Sequence, residues 1–197
     1  GGMAVVFSER TDSQQRMLNP KTVALIGASE REGSVGRAIM ENLLSTKYRK
    51  VFPVNPKRSN VLGITCHPNV ATMPEPVDLA IIATPAKVVP QIVEECGRAG
   101  VHGIAIISAG FREIGEEGKR LEDDIKAIRK KYGMRIIGPN CVGLIRPNIE
   151  LNASFLKARP EPGKIAFISQ SGALGTAILD WAVNAHKGFS MFVSLGS

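Results

Sequence analysis

Val23-Ala24-Leu25-Ile26-Gly27-Ala28-Ser29-Glu30-Arg31-Glu32-Gly33-Ser34-Val35-Gly36 starts on four apolar residues and runs into a glycine-rich loop. A short run without polar alternation suits a strand buried on both faces, as in a parallel sheet. Behind the loop, Ile39, Leu43 and Leu44 share one stripe, so a helix is expected over 37–46. Strand, glycine turn and helix are the first parts of a βαβ unit.

The same alternation continues downstream. Val51-Phe52-Pro53-Val54-Asn55 is a second strand, and Pro53 marks it as an edge or an irregular ladder. Val77-Asp78-Leu79-Ala80-Ile81-Ile82-Ala83, Gly103-Ile104-Ala105-Ile106-Ile107 and Met134-Arg135-Ile136-Ile137 are the next three. A helix is expected from the Pro85–Pro90 region to Gly97 or Gly100, and another where Leu121, Ile125 and Ile128 recur at i, i+4 and i+7. Right-handed crossovers turn this order into an α/β, doubly wound parallel sheet, a Rossmann-like domain over 20–148. Residues 1–19 are a lead-in, with Gly1-Gly2 before Met3 resembling the remnant of a cleaved tag. Pro147, Pro160 and Pro162 punctuate 146–163, and 149–163 is expected to be a linker. Beyond it, Lys164-Ile165-Ala166-Phe167-Ile168, a Ser-rich turn, a helix to about 185 and Ser190-Met191-Phe192-Val193-Ser194-Leu195 make one more βαβ unit. A unit that small cannot cover both faces of its sheet, so 164–197 is expected to be the truncated start of a further domain.

Bulk composition narrows the function. Of 197 residues, 44% are hydrophobic and 22% charged, an ordinary soluble globular balance, and no apolar run approaches the ~18 residues of a membrane span. No basic-then-apolar leader opens the chain, so a cytoplasmic protein with no membrane partner is expected. Cys66, Cys96 and Cys141 lie far apart without metal-type spacing, which argues against a disulfide framework and against a metal site. The net charge of +7 is dispersed and aromatics are only 5%, a pattern that suits a polyphosphate ligand better than nucleic acid.

Ligands of doubly wound sheets bind beyond the carboxyl ends of the strands. Every unusual loop falls there: Gly27, Ala28, Ser29, Gly33, Ser34, Val35 and Gly36 after the first strand, Asn55, Pro56, Lys57 and Arg58 after the second, Thr84 and Pro85 after the third, Ser108, Ala109, Gly110 and Phe111 after the fourth, and Asn140 after the fifth. The first loop ends at a helix start, which favours a phosphate, or it is a tight turn with no ligand at all. An NAD site would place a carboxylate after the second strand; Lys57 and Arg58 instead suit an extra ribose phosphate, as in NADP or coenzyme A, or are solvated surface cations. Cys141 has no base near it in sequence and is expected to be a small buried thiol.

Leu18-Asn19-Pro20-Lys21-Thr22-Val23-Ala24-Leu25-Ile26-Gly27-Ala28-Ser29 resembles the opening of the CoA-binding domains of ADP-forming acetyl-CoA (acyl-CoA) synthetases, relatives of the succinyl-CoA synthetase alpha subunit. Val54-Asn55-Pro56-Lys57, the segment 77–85, Ile106-Ile107-Ser108-Ala109-Gly110-Phe111 and Ile137-Gly138-Pro139-Asn140-Cys141-Val142-Gly143 extend the resemblance, and Ile168-Ser169-Gln170-Ser171-Gly172-Ala173 is similar to the start of that family's flavodoxin-like domain. The resemblance implies the CoA diphosphate over Ser29, Gly33, Ser34 and Val35, the 3′-phosphate near Lys57 or Arg58, an adenine and pantetheine channel lined by the loops Thr84-Pro85 and Ser108 to Phe111, and Asn140 towards the thiol. It also implies that Ser169, Ser171 and Gly172 help hold a phosphohistidine in the complete enzyme, although an N-cap serine with no catalytic part explains them as well. The implied partners are an ATP-grasp subunit or domain, which takes ATP, ADP and magnesium, and further copies in an oligomer. His67, His102 and His186 are not in the context of that family's phosphorylated histidine. Two other readings stay open on the residues: an NADP-dependent oxidoreductase domain, and a non-catalytic CoA module of a protein acetyltransferase-like fusion.

Overall fold

The computed structural model describes residues 12–157, 162–169 and 189–194. Five parallel strands form the main sheet: β1 (Thr22–Ile26), β2 (Lys50–Val54), β5 (Leu79–Ile82), β6 (Gly103–Ile106) and β7 (Arg135–Ile137), in the order β2-β1-β5-β6-β7. The chain steps from β1 outward to β2 and then returns to β5 on the other side, so the order reverses at β1 and opens a crevice there. Strand β2 lies at an edge, as its proline suggested. Lys50 N–H and Val54 C=O bond towards β1, while Pro53 C=O accepts from His67 on the outer side, so the missing N–H of Pro53 faces away from the ladder.

All of Val23, Ala24, Leu25, Ala80, Ile81, Ile104, Ala105 and Ile106 are fully buried, and the strand period sorts them onto two faces. Val23, Leu25, Leu79, Ile81 and Ala105 pack with Met17 and Leu18 of α1 (Asp12–Leu18) and with Ile39, Met40 and Leu43 of α2 (Val35–Leu44). Ala24, Ala80, Ile82, Ile104 and Ile106 pack with Val89, Val93 and Cys96 of α3 (Val89–Arg98) and Ile125 of α4 (Glu116–Tyr132). Truncating any of the buried Leu or Ile side chains to Ala would destabilise the domain by about 2–5 kcal/mol. The expected third strand loses Val77 and Asp78. The carboxylate of Asp78 accepts from the N–H groups of Lys21 and Thr22 at 2.9 and 3.3 Å and fastens the lower edge of the sheet instead.

No α-helix links β2 to β5. A two-stranded hairpin, β3 (Asn60–Val61) with β4 (Ile64–Thr65), and a 3-10 turn at Val70–Thr72 fill that crossover. The stretch expected to be linker also differs. β8 (Gly143–Arg146) and β9 (Leu151–Ser154) form an antiparallel hairpin around a 3-10 turn at Pro147–Ile149. Leu144, Leu151 and Ala153 join the α1–α2 side of the core, and Asn42 of α2 donates to Ser154 O and Leu156 O at 2.7 and 3.0 Å. Arg49 holds the turn between the strands, donating to Ile149 O, Glu150 O and Pro20 O, while Arg146 donates to Leu18 O. The hairpin then carries the next sheet: β10 (Pro162–Ser169) pairs in parallel with β11 (Phe189–Ser194), and β11 pairs antiparallel with β8, giving β10-β11-β8-β9. The helix expected between β10 and β11 lies outside the described residues.

Candidate functional site

Main-chain hydrogen bonds stitch the five carboxyl-end loops to one another. Gly27 N–H donates to Val54 O at 3.0 Å, Ala83 N–H to Ile26 O and Ile107 N–H to Ile82 O at 2.8 Å each, and Asn140 N–H to Ser108 O at 3.0 Å. The sequence-predicted loops therefore do meet along one edge of the sheet.

The loop after β1 is shaped by two glycines. Gly27 has φ +97°, and a β-carbon on it would lie 2.6 Å from Ala83 O. A β-carbon on Gly36 would lie 2.3 Å from Gly27 O, so only glycine lets the first turn of α2 sit on the end of β1. The helix starts two residues earlier than its periodicity suggested because Ser34 caps it: the Ser34 hydroxyl accepts from Arg37 N–H at 3.2 Å and donates to Arg31 O at 2.7 Å. Val35 and Gly36 thereby become first-turn residues with N–H groups aimed outward. No acidic residue sits in that turn, so the helix itself supplies no carboxylate against its positive dipole end. Ser29 Oγ accepts from Arg31 N–H at 3.0 Å, which leaves its own O–H to donate. Gly33, at φ +77°, has open space where a β-carbon would be. Ala28 is fully buried, and what it offers is its carbonyl, which accepts from Asn55 Nδ2 at 2.9 Å.

Past β2, Asn55 Oδ1 accepts from Lys57 N–H at 2.9 Å, a side-chain turn that lifts Pro56, Lys57 and Arg58 into solvent. The two cations are not equivalent. Arg58 Nη2 is 2.9 Å from Glu30 Oε2, whereas Lys57 makes no ion pair among the described residues. Glu30, which sequence reasoning passed over, accepts from Leu62 N–H at 2.8 Å through its other oxygen. Only the appearance of a carboxylate in the first loop could have flagged it.

Thr84 carries the sharpest polar signal. Its Oγ1 is buried without a hydrogen-bond partner among the described residues, beside Gly27 at the point where the strand order reverses. Such an orphan is uncommon in a native interior and fits a ligand group at that point. Pro85 is exposed at the start of the 3-10 turn Ala86–Val88. Ser108 is buried and Ala109 exposed, while Gly110 N–H donates to Glu113 Oε1 at 2.5 Å. Burial alone would raise the Glu113 carboxyl, but the N–H groups of Gly110, Glu113 itself and Phe111 outweigh it and hold the group below its ordinary value. Phe111 does not line a channel with its ring. The side chain is fully buried in the α3–α4 core and anchors the loop from below. Asn140 adopts a left-handed conformation, φ +56°, over the end of β6.

Cys141 is the buried thiol it was expected to be: Sγ lies 3.1 Å from Ile106 O, and burial pushes its pKa up to about 12. No cluster of potential metal ligands exists among the described residues. No described helix is long and apolar enough to cross a membrane. Ser169 ends β10, while Ser171 and Gly172 lie outside the described residues.

A helix start at the reversal point of a doubly wound parallel sheet, with cations beyond its second strand, defines a binding domain for a phosphate-bearing, nucleotide-like ligand. This chain belongs to the CoA binding domain family, whose model matches residues 21–147, and residues 162–197 match the succinyl-CoA ligase like flavodoxin domain. It is 50% identical over 93% of its length to the ADP-forming acetate--CoA ligase I of Archaeoglobus fulgidus, covering 27% of that protein. It is 45% identical over 94% of its length to the alpha subunit of the ADP-forming acetate--CoA ligase I of Pyrococcus furiosus, covering 41% of it. Among solved structures, the dinucleotide forming acetyl-coenzyme A synthetase 1 of Ca. Korarchaeum cryptofilum, in complex with phosphate and ADP, superposes with a TM-score of 0.87 at 39% identity, over 92% of this chain and 39% of that one. The chain thus spans between a quarter and about two-fifths of the length of these relatives. They lend no support to the oxidoreductase or acetyltransferase-fusion readings.

Proposed function

We propose that this chain binds coenzyme A across the carboxyl edge of its first sheet, as the CoA-binding part of an ADP-forming acyl-CoA synthetase acting on acetyl-CoA. The observation that carries the reading is the start of α2, with no acidic residue in its first turn, beside the Thr84 hydroxyl, which has no hydrogen-bond partner among the described residues. The N–H groups of Val35 and Gly36, with the hydroxyl of Ser29, face the diphosphate. Lys57 and Arg58 face the 3′-phosphate, and Thr84, Pro85, Ser108, Ala109 and Gly110 border the adenine and pantetheine. Asn140 stands towards the thiol. The complete protein would interconvert acyl-CoA, ADP and phosphate with acid, CoA and ATP through an acyl phosphate and a phosphohistidine. In that reaction this edge fixes the ligand and its thiol, and Ser169, Ser171 and Gly172 offer donors to the phosphohistidine. ATP, ADP and magnesium belong to an ATP-grasp partner, within a cytoplasmic oligomer.

Calorimetric titration with CoA, 3′-dephospho-CoA and NADPH tests the binding claim. CoA should bind, more weakly without its 3′-phosphate, and NADPH should give no heat. NADPH binding without CoA binding would overturn the reading.

A further inference from the structure

Glu30 ties together three parts of the candidate site. Its Oε2 holds Arg58 at 2.9 Å, its Oε1 accepts from Leu62 N–H at 2.8 Å, and its carbonyl oxygen accepts from Arg37 Nη1 at 2.6 Å. One residue of the β1–α2 loop thus reaches the first turn of α2, the β3–β4 turn and the cation beyond β2. Leu62 has φ +49°, a left-handed conformation that an L side chain seldom takes, and the carboxylate fixes its N–H in place. The ion pair itself is loose: the side chains of Arg58 and Glu30 are 38% and 33% exposed. Pairs so open to water are weak and exchange easily.

We propose that Glu30 is a competitor built into the site, holding Arg58 when no ligand is bound and yielding it to the ligand's terminal ribose phosphate. The inference rests on the coenzyme A reading above. A phosphate offers a guanidinium more charge and more acceptor oxygens than a carboxylate does, so the exchange runs towards the ligand. Once Arg58 has moved, the Glu30 carboxylate faces the incoming phosphate and opposes it. Glu30 therefore tempers affinity for CoA specifically, which favours release of a ligand that must enter and leave in every turnover. Lys57, with no ion pair among the described residues, supplies the standing attraction.

The test is titration of the full-length protein and its Glu30→Gln variant with CoA and 3′-dephospho-CoA. Glutamine keeps an oxygen for Leu62 N–H and replaces the oxygen that holds Arg58 with an uncharged amide nitrogen. E30Q should tighten CoA by about two- to fivefold, the range of an exposed ion pair, and leave 3′-dephospho-CoA unchanged. Loss of affinity for both ligands together, or no change for CoA, overturns the proposal. Arg58→Gln is the second arm: it should weaken CoA alone, and equal binding of CoA before and after that change also overturns it. If the unmodified protein fails to bind CoA, the functional reading itself fails before Glu30 is reached.

Discussion

The carbonyl oxygen of Gly27 occupies the place that a β-carbon on Gly36 would need, 2.3 Å away. The oxygen belongs to the backbone, and the backbone of residue 36 fixes where a β-carbon must lie, so no side-chain rotation relieves the clash. Gly36→Ala should therefore push α2 off the end of β1, costing about 1–3 kcal/mol of stability. It should also weaken CoA, because the displaced N–H groups are the proposed anion donors. Chemical denaturation and calorimetry read the two effects separately.

Thr84→Val gives the opposite pattern. Valine keeps the shape and removes a buried hydroxyl that has no partner within the described chain. Stability should rise by about 1 kcal/mol while CoA affinity falls, as expected of a group reserved for a ligand. A fall in both would show that the hydroxyl is structural.

Asn42→Ala would leave the carbonyls of Ser154 and Leu156 without the amide that now bonds both. A loss of about 1–3 kcal/mol is expected, with faster amide hydrogen exchange over 151–156 than over the central strands.

The Glu94 carboxyl is held below its ordinary value by hydrogen bonds from Tyr132 and Lys131, which outweigh the opposing effect of burial, and to a lesser degree by the charges of Lys131 and Arg98. A group with a depressed native pKa stabilises the fold above its unfolded pKa and loses that contribution as pH falls through the native one. Glu94→Gln should accordingly be less stable than the unmodified chain at pH 7. The difference should shrink on acidification below the ordinary glutamate range, which urea denaturation at pH 7 and pH 3 will show.

Much of this was legible in the order of residues. Runs such as Leu79 to Ile82 are apolar on both faces because helices cover both faces, and that pattern is local. Pro53 announced an edge for an equally local reason. The β8–β9 hairpin was not legible: its strands are four residues each, Pro147 interrupts them, and β11, the other neighbour of β8, pairs with it from far along the chain, Phe192 opposite Ile145. A ladder bond across that distance leaves no periodic trace. Phe111 was expected at the ligand as part of the loop after the fourth strand, on the strength of the resemblance, yet its side chain is fully buried in the core. The pairing of Arg58 with Glu30 likewise joins residues 28 apart, so the basic dipeptide looked like two equal cations, although among the described residues Arg58 has an ion pair and Lys57 has none.

The family match ends at residue 147, which is the first residue of the turn inside the β8–β9 hairpin. An excised fragment ending there would retain β8 and forfeit Leu151 and Ala153 from the core, the Asn42 acceptors and two of the three oxygens that bind Arg49. The family match therefore stops short of the last contact that pins the hairpin, the Leu156 carbonyl on Asn42, and β9 packs with the first fold even though it hydrogen-bonds into the second sheet.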